Sequence, residues 1–131
     1  MGRTLSTNTV SISIEPNGST ISNIPCTEGM NVQKAMEMAY AIPPGITFSI
    51  EYFGAEFGYL VLTVDGTTNE NSYYWFLYVN GTLSPTGIDD TILSAGDAIS
   101  LQYEIYNPAT HSDAIHAVRD QAYRKAREKR A

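Results

Sequence analysis

The sequence predicts an α+β fold: a mostly antiparallel roll with one helix packed across its sheet, followed by a basic C-terminal helix. Three observations carry this. Alternation of apolar and polar residues, the period of a half-buried strand, recurs between Val10 and Tyr106. One segment, Asn31 to Tyr40, switches to helical spacing. After Asn107-Pro108 the chain turns basic and alanine-rich. At 131 residues, 43% of them hydrophobic, it has material for one core.

In chain order, Val10, Ile12 and Ile14 alternate with Ser11 and Ser13, and Pro16-Asn17-Gly18 then turns the chain into a returning strand ending at Ile24. Both arms are polar on one side, which suits an edge hairpin. Asn31 is placed to cap a helix over 31–41, with Val32, Ala35, Met36, Ala39 and Tyr40 as its buried stripe. Pro43-Pro44-Gly45 ends it. Ile46 to Tyr52 and Phe57 to Val64 read as strands, and Thr67 to Ser72 as a polar loop. Tyr73 to Val79 is apolar at every position, so it belongs mid-sheet with both faces covered. Ala98 to Tyr106 is the last strand. The body is therefore 1–107. Residues 108–131 form a basic tail helix whose thin stripe, Ala114, Ile115, Val118, Ala122 and Ala126, predicts loose attachment.

Charge is unevenly spread. The net charge of −6 combines a body with Arg3 and Lys34 as its sole cations and a tail with Arg119, Arg124, Lys125, Arg127, Lys129 and Arg130. So acidic a body cannot neutralise a run of phosphates, which excludes it as a nucleic-acid surface. The tail suits an acidic partner, and self-association through residues 111–131 is expected to weaken with salt. Removing those residues is expected to leave a folded domain. Cys26 is alone, so no internal disulfide forms. No apolar run is long enough to cross a bilayer, and the opening MGRTLSTNT is polar and unlike a signal peptide. Met1-Gly2 followed by Ser6 matches a loose myristoylation pattern, and Asn17-Gly18-Ser19 and Asn80-Gly81-Thr82 match the glycosylation pattern, both also ordinary turns.

Nucleophilic catalysis with a histidine base needs an imidazole that the body does not contain. His111 and His116 both lie in the tail, five apart, which on a helix predicts different faces, solvent exposure and poor metal ligation. Asp89-Asp90 is the one adjacent carboxylate pair and reads as turn chemistry. The strongest chemical signal is aromatic: every aromatic residue but one falls between Tyr40 and Tyr106.

An ordered set of motifs runs through the body: Gly29-Met30-Asn31-Val32, Gly58-Tyr59, Val64-Asp65-Gly66, Tyr74-Trp75, Val79-Asn80-Gly81, Gly87-Ile88-Asp89-Asp90, Gly96-Asp97 and Tyr103. Over about residues 8–106 the chain resembles the transcobalamin C-terminal-like domains, found in bacterial secreted proteins and at the end of vertebrate cobalamin carriers. The resemblance implies a β-grasp-like roll and a secreted or cell-surface setting, with a cytoplasmic one left open. It implies a small-molecule ligand, cobalamin or a related flat amphiphile, held on an aromatic face by Tyr73, Trp75, Gly87, Ile88 and Asp89. The basic helix is not part of that pattern, and the helical barrel that completes the carriers' site is absent from this chain. Two other readings stay open. One is a protein-interaction or adhesion module using loop 83–90 or a sheet edge. The other is a small enzyme with acid/base carboxylates such as Asp65, Asp89 or Glu104.

Overall fold

The structure, a computed structural model, describes residues 8–16 and 18–130, with backbone alone for 127–130. The Met1-Gly2 pattern, Asn17 of the first turn, and the side chains of Arg127, Lys129 and Arg130 lie outside the described residues.

Ten elements follow one another: β1 (Thr9–Glu15), β2 (Ser19–Pro25), α1 (Val32–Ala39), β3 (Phe48–Tyr52), β4 (Tyr59–Val64), β5 (Thr67–Thr68), β6 (Tyr73–Val79), β7 (Thr82–Leu83), β8 (Ala98–Ile105) and α2 (Ala114–Arg130). The expected α+β roll is borne out, with its strands divided over two sheets. A five-stranded sheet runs β2-β1-β8-β6-β7, and a three-stranded one runs β3-β4-β5. All pairs are antiparallel except β1 with β8. That parallel pair brings the first strand to the interior of the large sheet and leaves β2 at its edge.

Cross-strand register assigns the two faces. Leu77 opposes Leu101 and Trp75 opposes Tyr103. Ile12 opposes Ile99 and Ile14 opposes Leu101. Residues directly opposite share a face, so Ile12, Ile14, Trp75, Leu77, Ile99 and Leu101 form one apolar layer, together with α1 and the small sheet. Within α1, Val32, Ala35, Met36 and Ala39 are buried as expected. Tyr40 is not: it is 67% exposed. The helix is only eight residues long, so the eighth residue after Val32 falls on the C-cap, beyond the sheet.

The N-terminus of α1 is closed by the loop before β8. Asn31 accepts the Lys34 N–H at 2.8 Å and donates its own amide to the Asp89 carbonyl at 3.1 Å. The Val32 and Gln33 N–H groups donate to the Thr91 and Ile88 carbonyls, each at 3.0 Å. The first orphan donors of the helix thus have fixed partners.

On the opposite face of the large sheet, α2 covers Tyr74 and Phe76, both fully buried. The expectation of a loosely attached tail is overturned here, and so is that of solvated histidines. Ile115, His116, Arg119 and Asp120 are all at most 4% exposed, and His111 is 4% exposed. The helix buries His116, Arg119 and Asp120, with Tyr123 half-buried beside them; of the expected stripe Ile115 is buried, while Val118 and Ala122 stay open to solvent. That polar face can be buried because the strand beneath it presents aromatic rings and a row of hydrogen-bonding groups.

Candidate functional site

Two features of this architecture invite chemical reading: the polar layer under α2, and a cleft where α2 overhangs the small sheet.

The polar layer is built on β6 and β8. Asp120 Oδ1 accepts from the Tyr74 hydroxyl at 2.7 Å and from Ser72 Oγ at 3.2 Å, and its Oδ2 accepts from Arg124 Nε at 2.7 Å. Burial, then Asp120 as acceptor, pushes Tyr74 up to about 12. His111 stacks on Phe76 with ring centroids 3.8 Å apart. Its Nδ1 accepts the Asn107 N–H at 2.9 Å, so Nε2 carries the hydrogen and donates to Glu104 at 3.0 Å. Glu104 also accepts from the Tyr78 hydroxyl at 2.7 Å, and burial with that acceptor pushes Tyr78 well up. His116 lies edge-on to Phe76 with no hydrogen bond at either ring nitrogen. Burial, then the Arg119 charge and His111, lowers it to about 4. Arg119 stands over the Tyr74 and Phe76 rings, its guanidinium carbon 4.8 and 5.0 Å from their centroids. Burial lowers it to about 10 against the pull of Tyr123, Tyr74, Glu51 and Asp120, so it is cationic at neutral pH. Every group here is closed off from solvent or engaged. The layer is cement between helix and sheet.

The cleft, about 820 Å³, is lined by Glu51, Tyr52 and Phe53 of β3 and its end, Leu62 of β4, Thr68 to Asn71, and Ala122, Tyr123 and Ala126 of α2. On its α2 side the wall carries only methyl groups at 122 and 126, one turn apart, beside the Tyr123 ring. Tyr123 donates to Glu51 Oε1, and burial together with this acceptor pushes the phenol well up, so it remains a donor. The Phe53 and Tyr123 rings meet at 6.2 Å and 45°, making a corner. Asn69, 7% exposed, reaches both ways from the cleft wall: its amide donates to the Val61 carbonyl at 3.0 Å and its oxygen accepts the Trp75 N–H at 2.9 Å. Among the described residues the lining holds two carboxylates, Glu51 and Glu70, and no Lys, Arg or His.

The five residues implied by resemblance take different positions. Trp75 is 4% exposed, inside the core, and its indole Nε1 donates to the Thr67 carbonyl at 2.8 Å. Ile88 is 1% exposed. Gly87 is pressed against the chain at the start of β4, where a Cβ would lie 2.4 Å from the Tyr59 carbonyl oxygen. Asp89, half-buried, accepts the Tyr59 N–H at 2.9 Å and sits where Gly58 leaves room for its carboxylate. Tyr73 alone is substantially open, at 42%, with its ring stacked on Tyr103. Asp89 is tied to Tyr59 and Trp75 to Thr67, which pairs with Val64. These anchors mark opposite ends of six-residue β4, separated by ~17 Å at ~3.4 Å per residue. The structure does not join them into one open patch. Nor does it gather the carboxylates of the enzyme reading. Asp65 accepts the Thr47 N–H at 3.0 Å in the β4–β5 turn, Asp89 is at the other end of β4, and Glu104 lies under α2. Asn80, of the second glycosylation pattern, donates to Asp97 at 2.9 Å and accepts the Ala98 N–H.

Sequence reasoning missed Glu51, Asn69, Arg119 and Tyr123. Tyr123 carried a signal, as the one aromatic residue outside the Tyr40–Tyr106 stretch and on the helical face of His116 and Arg119.

A family model described as a domain of unknown function, DUF4430, matches residues 29–104, which leaves out β1, β2 and α2. Among solved structures, the fold is similar to haptocorrin in complex with Cbi, with TM-score 0.63 and 19% identity over 76% of this chain. This chain spans 25% of the haptocorrin chain. It is also similar to a candidate metal-binding protein from Ruminococcus gnavus, with TM-score 0.57 and 17% identity, covering 76% of this chain and 99% of that one. No curated protein matches. At these identities the likeness is one of fold, and there the expected transcobalamin-like architecture is borne out. Among the described residues, no group of three or more His, Cys, Asp and Glu could hold a metal ion, and no helix is long and apolar enough to cross a membrane.

Proposed function

We propose that this chain, which belongs to the DUF4430 family, is a small-molecule-binding module whose ligand occupies the cleft between the β3–β4–β5 sheet and α2. The observation that carries this reading is the cleft itself. Its volume of about 820 Å³ falls in the range of small-ligand sites, and its lining is mostly apolar and aromatic with a few convergent polar groups. The haptocorrin likeness supports a ligand-binding role for such a fold. Ala126→Leu and Ala122→Leu fill the cleft from its solvent side with little expected cost to folding. A screen of small organic molecules, read by amide shifts in isotope-labelled protein, should give saturable shifts confined to residues 51–53, 68–71 and 122–126, lost in the filled variants. Binders whose shifts avoid these residues would move the site elsewhere.

A second reading places cobalamin or a related flat amphiphile beside Tyr73. The exposed ring of Tyr73, its stacked partner Tyr103 and the 53% exposed Ile105, opposite Tyr73 in the sheet, form an apolar strip that favours it. Trp75 lies 5.0 Å from Tyr103, so a ligand there should alter its fluorescence saturably. Trp75, Gly87, Ile88 and Asp89 would then act by holding the strip and neighbouring loop in place. An unchanged signal on cobalamin titration would remove this reading. The acidic body and the basic end of α2 further support self-association through residues 111–131, tested by sedimentation at low and high salt.

A further inference from the structure

We infer that the cleft selects an organic cation with a compact head, a primary or quaternary ammonium, over neutral molecules of the same shape. This rests on the cleft being the ligand site. Three observations lead to it.

The first is charge. Glu51 and Glu70 are the ionisable acids of the lining, and among the described residues no basic side chain lines it. Arg119, whose charge acts on Glu51, is sealed behind the wall, fully buried and bonded to the Trp75 carbonyl. The other cation on this part of α2 with a described partner, Arg124, is held by Asp120. An anionic ligand would meet two carboxylates at the surface of the cleft, with Arg119 acting on Glu51 only through the wall, whereas a cation gains from direct approach to both.

The second is the aromatic surface. Tyr52, Phe53 and Tyr123 all contribute to the lining, and the negative π faces of such rings attract ammonium groups. Tyr123 donates its only hydroxyl hydrogen to Glu51, so its hydroxyl presents lone pairs, not a proton, to anything else in the cleft.

The third is shape. Phe53 and Tyr123 meet at 45° with centroids 6.2 Å apart. That separation is a tilted ring contact, too close for a planar ring to slide between them. A corner of two rings beside a carboxylate suits a rounded head, with the remainder of the ligand running along Leu62, Ala122 and Ala126.

The test compares choline with its uncharged isostere 3,3-dimethyl-1-butanol, in the full chain, by amide shifts and calorimetry. Choline should bind at residues 51–53, 68–71 and 122–126, about tenfold more tightly than the alcohol. Glu51→Gln with Glu70→Gln, which keeps an acceptor for Tyr123, should erase the preference while the amide spectrum away from the cleft stays that of the folded wild type. Equal binding of the two probes at these residues would overturn the cation inference and leave the cleft as the site. The same holds if neutral molecules from the screen bind there and choline does not. If no molecule shifts these residues and filling Ala126 changes nothing, the cleft reading falls with it.

Discussion

Arg119 Nη1 donates to the Trp75 carbonyl at 3.2 Å, joining the buried face of α2 to the edge of β6. Partner strand β7 covers only Tyr78 and Val79, so most of that edge has no neighbouring strand. Its outward groups are nevertheless occupied in turn. Tyr73 exchanges hydrogen bonds with Glu70, Trp75 is held between Asn69 and Arg119, and the Leu77 carbonyl accepts from Ser84 N–H at 2.8 Å. An open edge inside a protein would leave donors and acceptors unsatisfied, at about 1–3 kcal/mol each. Loop backbone and the side chains of Asn69 and Arg119 finish what the two-residue strand does not.

Asn69 should therefore be among the least replaceable polar residues. Asn69→Ala orphans the Trp75 N–H and the Val61 carbonyl together, with an expected loss of about 2–4 kcal/mol in urea unfolding. Asn69→Asp keeps the acceptor but cannot donate to Val61, so it should recover only part of that loss. A wild-type melting curve for Asn69→Ala would show that water replaces both bonds.

His116 makes stability depend on pH in a defined window. In the fold it is neutral down to about 4, held there by burial and by the facing charge of Arg119, with His111 beside it and the Asp113 carboxylate 4.0 Å away. In the unfolded chain it takes a proton below its usual 6.5. The unfolded state then binds more protons between those values, so stability falls as pH drops through the window, by on the order of 3 kcal/mol at its acid end. Carboxylates titrate nearby, so the informative quantity is a difference. His116→Phe should flatten the pH dependence of unfolding relative to wild type between pH 6.5 and about 4. Parallel curves would place the imidazole in contact with solvent.

Gly87 should resist any side chain. Its Cβ would fall 2.4 Å from the Tyr59 carbonyl oxygen and 2.6 Å from that of Phe57, both backbone atoms that cannot swing aside. Gly87→Ala must lift the loop from β4, and the loop carries the carbonyls that accept from Val32 and Gln33. The expected result is a loss of about 2 kcal/mol or more together with weakened amide-exchange protection at the start of α1. Loss of stability with α1 protection intact would separate the loop from the helix.

These residues also show what was legible in advance. Strand alternation and the α1 stripe were read from Val10, Ile12, Val32 and Met36 because their burial is purely apolar. The motifs Gly58, Gly87 and Asp89 were visible as a set, but their work is steric and backbone-directed, and a pattern does not say whether a residue touches ligand or neighbour. The helix α2 was legible as a helix and misread as to its face. Counting apolar residues selects Val118 and Ala122, whereas the sheet beneath supplies the Trp75 carbonyl, the Tyr74 phenol and the Tyr74 and Phe76 rings that make His116, Arg119 and Asp120 the buried side. The cleft depends on that same docking, so neither Glu51 nor Tyr123 could be paired from sequence.

The consequence for residues 108–131 is the reverse of what composition implied. Removing residues 111–131 strips the cover from Tyr74 and Phe76, each fully buried now, and exposes one face of two aromatic rings. It also takes away the Trp75 carbonyl's partner Arg119, the acceptor Asp120 for Tyr74, and the His111 contact to Glu104. Releasing the helix returns its conformational entropy, but the orphaned groups and roughly 5 kcal/mol of lost burial compare with the whole stability of a small domain, ~5–15 kcal/mol. We expect chain 1–110 to be insoluble or to melt without cooperativity and bind hydrophobic dyes, while a chain ending at 126 keeps the docked turns and the wild-type fold. If 1–110 instead melted cooperatively within a few degrees of the full chain, α2 would be an accessory lying on a finished domain, and the cleft it overhangs would be dispensable as well.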